Sequence, residues 1–227
     1  MCSFILGCAE PVIVTVAEPA LSPQRQMLSE GYSLLHTDAS RLGYVDWVFY
    51  VKGESKAVDE LLTAVAGFGG ELKNELEGIA RDYPGVRLGL DPLPEMEKRK
   101  RRAIVKQRAR DFAPGIGRGG REYERTILIS LSNAFNHERH LCRVMAEEEP
   151  DPGLKRFLER TQQRFSELHD RAQDFLEMLA CSFLDGPVPP ECKVYDLDCN
   201  GLIDLNDTTA FLAIYQDPPA DCNANGA

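Results

Sequence analysis

The residues best equipped for chemistry lie near the C-terminal end, in Asp196-Leu-Asp-Cys-Asn-Gly-Leu-Ile-Asp-Leu-Asn-Asp207. Side-chain oxygens alternate through Asp196, Asp198 and Asn200, then return at Asp204 and Asp207. A twelve-residue loop that wraps a hard divalent cation requires such a pattern. It needs oxygen ligands at positions 1, 3 and 5, a backbone carbonyl at 7, a ligand or bound water at 9 and a carboxylate at 12. Counted from Asp196, position 7 is Leu202, position 9 is Asp204 and position 12 is Asp207. Gly201 at position 6 permits the sharp turn, and Ile203 at position 8 is placed to anchor the loop to apolar neighbours. Calcium suits this oxygen set, whereas magnesium demands tighter octahedral geometry.

The departures from a full helix–loop–helix calcium site are also informative. Position 12 is the shorter Asp, the entering segment 190–195 reads as extended, and the exiting segment 206–215 reads as helical, with Phe211, Leu212 and Tyr215 for packing. An EF-hand-type loop with these features resembles the dockerin repeat of secreted bacterial proteins. Dockerins carry two repeats, and here a second begins at Asp221-Cys-Asn-Ala-Asn-Gly226, matching positions 1, 3, 5 and 6 before Ala227. The resemblance covers about 35 residues. It implies calcium as cofactor and a cohesin-like protein partner at the cell surface, while the incomplete second repeat argues against that pairing.

At the other end, Phe4-Ile-Leu-Gly-Cys8 resembles the lipobox of bacterial lipoproteins, in which a small residue precedes a Cys that becomes lipidated. That resemblance implies a membrane anchor at Cys8 and an extracytoplasmic location, with a signal segment beginning upstream of Met1. In an oxidising compartment disulfides become possible. Cys192, Cys199 and Cys222 cluster in the tail, so Cys192–Cys222 and Cys199–Cys222 are both conceivable. No CxxC occurs, which disfavours a zinc site or a thioredoxin-like motif.

Charge divides the chain. The net charge is −10, but Asp185 to Ala227 holds seven Asp and one Glu against one Lys, while Glu95 to Arg110 holds eight basic residues against two Glu. The acidic balance argues against nucleic acid as a partner. The basic run from Lys98 to Arg110 reads mainly as a solvated helix face, with an anionic surface as the sharper alternative. No apolar run of about 18 residues is present to span a membrane. Nucleophilic catalysis has no support: the glycines at 115–120 follow a helix and lack the Lys-Ser/Thr of a phosphate-binding loop.

Hydrophobic content is 43%, enough for a core. Residues 1–23 read as a signal remnant and a Pro-rich arm. Apolar residues then recur at helical spacing. The pattern predicts a first helix over about 24–52. A second follows, capped by Ser55, weakened by Gly67, Gly69 and Gly70, and stopped by Pro84-Gly85. An irregular crossover at 86–94 leads to a third helix opening near Pro94, interrupted at 113–120 and resuming near Arg121. A last helix spans about 152–181, its stripe including Phe165. Short turns favour antiparallel neighbours. The expected fold is all-α: an up-and-down four-helix bundle over 24–182, then a dockerin-like calcium module over 183–227.

Such bundles can hold a di-iron site built from Glu and Glu-x-x-His pairs. No Glu-x-x-His occurs here. His137 and His140 share a face, and Glu124, Glu167, His169 and His36 lie on predicted helices, yet a polar rim explains all of them. The layout weakly resembles secreted ferritin-like bundles without metal. The sequence therefore supports a non-enzymatic, surface-tethered binding or assembly protein with a calcium-binding tail. The alternative is a ferritin-like bundle with its own metal or redox role.

Overall fold

The computed structural model describes residues 21–45, 56–111, 120–181 and 190–197, together with Ile203 and Asp207. These residues form a helical bundle without strands: α1 (Pro23–Leu42), α2 (Lys56–Asp82), α3 (Glu95–Asp111), α4 (Gly120–Glu148), α5 (Pro152–Cys181), and a 3-10 helix, Pro190–Tyr195. The N-terminal arm, Cys8, Ser55 and the glycine-rich stretch 113–119 lie outside the described residues. No described helix is long and apolar enough to cross a membrane.

Two of the helix starts have a local cause. The Ser22 hydroxyl accepts the Arg25 N–H at 3.2 Å and Pro23 occupies the first turn, where its missing N–H costs nothing. Asp151 caps α5 in the same way, accepting the N–H groups of Gly153 and Leu154 at 2.8 and 2.9 Å. The first helix does not run to residue 52 as expected. It ends at Leu42, where the Gly43 N–H closes on the Ala39 carbonyl and the chain turns at Gly43 and Tyr44. The reason is tertiary. Gly69 of α2 lies so close that a Cβ there would stand 2.6 Å from the Gly43 nitrogen and 2.7 Å from Leu42 Cβ.

The core comes mainly from four of the helices, joined by Val86 and Tyr195. Leu28, Tyr32, Leu35, Ala39 and Leu42 of α1 face Val58, Leu61, Leu62, Val65, Phe68, Leu72 and Leu76 of α2. Tyr123, Ile127, Leu128, Leu131 and Phe135 of α4 pack against the buried face of α5, whose apolar residues run from Leu154 to Leu179. At mid-height Phe165 meets Phe68 edge-on at 5.1 Å between centroids and Phe135 at 6.3 Å, joining α2, α4 and α5. Met27 of α1 and Val144 of α4, although apolar, are half exposed.

Pair contacts give the directions. Arg25 meets Glu149 and Asp38 lies beside Glu138, so α1 and α4 are antiparallel. His36 meets Glu77 while Leu42 lies against Gly69, so α1 and α2 are antiparallel as well. It follows that α2 and α4 run the same way. The expected strict alternation of direction therefore does not hold for these three helices. Two buried serines fix the first part of the crossover that follows α2. Ser29 Oγ donates to the Gly85 carbonyl and accepts the Arg87 N–H, and Ser33 Oγ accepts the Leu90 N–H.

Candidate functional site

The tail is fastened to the end of α5. Cys192 is bonded to Cys181, with Cα atoms 5.6 Å apart. This replaces the Cys192–Cys222 pairing that sequence spacing left open; Cys199 and Cys222 lie outside the described residues. The entering segment, expected to be extended, is the 3-10 helix Pro190–Tyr195. The disulfide draws Cys192 back onto α5, and Tyr195, nearly buried, donates from its hydroxyl to Glu177 Oε2 at 2.7 Å. Burial, with the Glu177 carboxylate next, pushes the Tyr195 phenol well above its usual range. A compact turn satisfies both attachments.

Beyond Tyr195 the chain enters the candidate loop. Asp196 N–H donates to the Lys193 carbonyl at 3.2 Å. The Leu197 N–H donates to Asp207 Oδ1 at 2.6 Å, and Asp207 is fully buried. Loop positions 2 and 12 are thereby held together across ten residues. Leu197 and Ile203, at positions 2 and 8, pack against the main core cluster. Of the proposed ligands, Asp196 and Asp207 are described. Asp198, Asn200, Leu202 and Asp204 lie outside the described residues, as does the exiting segment 208–215.

The bundle candidates do not converge. His137, His140 and Glu167 are exposed. His36 pairs with Glu77 at 3.3 Å, and that hydrogen bond holds the Glu77 carboxyl below its usual range. His169 pairs with its neighbour Asp170 at 3.1 Å. Glu124 is buried, but the middle of the bundle is filled by Phe68, Phe135 and Phe165. Among the described residues no three His, Cys, Asp or Glu side chains gather closely enough to hold a metal. Comparison with protein-family models finds no matching family, and comparisons with characterised proteins and with solved structures find no match either.

Two polar clusters were not anticipated from the sequence. Glu149 accepts two bonds from the Arg25 guanidinium, at 3.0 and 2.8 Å, one from the Tyr32 hydroxyl at 3.0 Å and one from the Asp151 N–H at 3.1 Å. This clasp ties α1 to the α4–α5 turn. Burial and the Glu149 charge push the Tyr32 phenol far up. The second cluster sets Glu138 of α4 against Asp38 of α1, with Arg41 and Arg101 nearby. Burial, then the Asp38 charge, raise the Glu138 carboxyl to about 8. Cys142, one turn on, is buried and free, and burial pushes its thiol up. A sequence signal for Glu138 existed: it sits in phase with Leu131, Phe135, Cys142 and Met145, all buried.

Proposed function

We propose that this chain is an extracytoplasmic, non-enzymatic binding or assembly protein: a four-helix bundle with a calcium-binding, dockerin-like loop at its C-terminal end. The bundle consists of α1, α2, α4 and α5, with α3 as the rod of a single long crossover. The contact that carries the reading is Leu197 N–H to Asp207 Oδ1, because it brings the two ends of the twelve-residue loop together around a buried carboxylate. In this reading Asp196, Asp198, Asn200, Leu202, Asp204 and Asp207 hold calcium. Its chemistry is charge neutralisation of crowded carboxylates, not catalysis. The Cys181–Cys192 bridge supports an oxidising compartment, in keeping with lipid attachment at Cys8. A surface protein or an anionic surface would be the partner, the cohesin pairing being the weakest candidate.

Calorimetric titration of the full chain with calcium tests this. Binding of about one ion per chain is expected, at about 10⁻⁴–10⁻³ M as in extracellular modules, with magnesium a poor substitute. Asp196→Ala and Asp207→Ala should abolish it. Asp217→Ala, outside the loop, should not. Absence of binding up to about 10 mM, or equal binding by all three variants, would leave only an acidic turn.

A further inference from the structure

We infer that the outward side of α3 is a docking surface for an anionic lipid leaflet, engaged through Arg99, Arg102, Lys106 and Arg110. The inference is independent of the calcium reading and goes beyond it, because it assigns to one helix the anionic surface named above as a partner. The bundle holds α3 without burying it. None of its residues belongs to the core cluster of the described residues. Its inner side is marked by Arg101, whose guanidinium stands 3.8 Å from Asp38 of α1 and near Glu138 of α4. Glu97, one turn before Arg101, accepts from its Nε at 3.2 Å, and both side chains are half-buried. Arg99, Arg102, Lys106 and Arg110 follow one another at three- or four-residue steps and form a single row on the opposite side. All four are exposed.

The acids that answer the exposed cations of this helix stand at one end of it. Lys98 pairs with Asp91, Arg99 and Arg102 with Glu95, and Lys100 with Glu97. These acids lie in the first turn of α3 or just before it. Past Arg102 the row continues to Lys106 and Arg110, which form no ion pair among the described residues. Unanswered cationic charge is thus concentrated in the second half of one helix, in a chain whose net charge is −10. That charge calls for an anionic partner, and a lipid surface fits better than a soluble polyanion. Met96 and Val105, 74% and 59% exposed, stand one turn from Arg99 and Arg102 and set apolar groups beside the cations. The mixture suits the boundary between headgroups and acyl chains, where long Arg and Lys stems lie along apolar surface with their charges in water. No aromatic residue occurs on α3, so nucleobases would find nothing on which to stack. The basic row is also confined to one straight helix. A flat leaflet can meet that row alone, because repulsion from the acidic remainder of the chain is screened beyond about 10 Å at about 0.1 M salt. A long polyanion would run past the row onto an acidic protein.

The test uses the full chain with Cys8→Ser, so that no acyl group contributes, and with calcium chelated, so that the tail does not. The probes are large vesicles of phosphatidylcholine alone, or mixed equally with phosphatidylglycerol, and the readout is co-sedimentation. Partition onto the mixed vesicles should exceed that onto the neutral ones at least about thirty-fold, since each Lys or Arg at an anionic surface contributes about five-fold. Raising the salt from about 0.1 to 1 M, which shortens the screening length to about 3 Å, should remove most of that preference. Lys106→Gln combined with Arg110→Gln should weaken partition at least about ten-fold and leave the helical circular dichroism and its melting unchanged. Lys155→Gln combined with Arg156→Gln removes the same charge from exposed positions of α5. That pair should change partition less than about two-fold, because the attraction fades within a screening length. Equal partition onto the two kinds of vesicle would overturn the inference. So would equal losses for the two double variants, which would mean a diffuse charge effect with no role for α3. Binding of dextran sulfate without binding of the vesicles would replace the leaflet with a soluble polyanion. Each of these outcomes leaves the calcium titration, and the reading it tests, untouched.

Discussion

Glu138 is a carboxyl group placed where a leucine would ordinarily sit. It is 8% exposed, and its Oε2 makes no hydrogen bond among the described residues. Its neighbours are Asp38 and Arg41 on α1, Arg101 on α3, and Cys142 on its own helix. With its pKa raised to about 8, it holds a proton in the folded chain through neutral pH, while in the unfolded chain it titrates near 4.3. The sign follows. Below about pH 4 both states are protonated and no stability is lost. Between there and about pH 8 folding must take up a proton, so stability falls as pH rises, then levels off. Glu138→Gln keeps a donor for Asp38 and removes the titration. The variant should melt several degrees above wild type at pH 9 and nearly with it at pH 4, each kcal/mol being about 2–4 °C for a chain of this size. Thermal melts across that range check it; an offset independent of pH would mean that Glu138 is ionised in the fold throughout. The heptad-like phase of Glu138 was legible in the sequence. Its partner Asp38, a hundred residues earlier on another helix, was not, because phase identifies a buried face and not what lies opposite.

The glycines of α2 show how an element hides two different causes under one residue type. Sequence propensity treats Gly67, Gly69 and Gly70 alike, each weakening a helix by about 1 kcal/mol relative to Ala. The structure separates them. Nothing stands within 4 Å of a Cβ built at Gly67 or Gly70, whereas at Gly69 the backbone of Leu42 and Gly43 is already at 2.6–2.8 Å. Gly67→Ala should therefore stabilise the protein by about 0.5–1 kcal/mol. Gly69→Ala should destabilise it by about 1–3 kcal/mol, as overpacking against rigid backbone does. Chemical denaturation of the two variants decides; a gain at both positions would mean that α1 and α2 do not cross at Gly69. The same crossing explains why the first helix stops at Leu42, ten residues before its apolar pattern ends. Two helix starts lie within a residue of the positions expected from apolar spacing, and their caps, Ser22 before Pro23 and Asp151 before Pro152, are local signals that spacing did not use. The entering segment of the tail was misread as extended because a disulfide to Cys181 sets its shape, and one chain offers several cysteine pairings.

At the scale of the whole molecule, the all-helical class followed from apolar stripes and the near absence of strand patterns, but the order of helix directions did not. Stripes on α1, α2, α4 and α5 say that four faces are buried together. They do not say whether α4 runs antiparallel or parallel to α2. Here α3 contributes no residue to the core cluster of the described residues. Met96, Ile104 and Val105 of α3 are exposed, and its polar residues are spread around the whole helix. The core instead converges on Phe165, wholly buried between Phe68 and Phe135. Removing that ring takes contacts from three helices at once. Phe165→Ala should cost about 3–5 kcal/mol, the range for a buried aromatic whose cavity cannot collapse. Val105→Ser, on the rod outside the core, should stay within about 0.5 kcal/mol of wild type. Urea unfolding followed by circular dichroism measures both on one scale. A large loss for Val105→Ser would place α3 inside the cooperative unit and return the crossover to the core. Comparable small losses for both would mean that α2, α4 and α5 do not share the aromatic centre on which the fold is built.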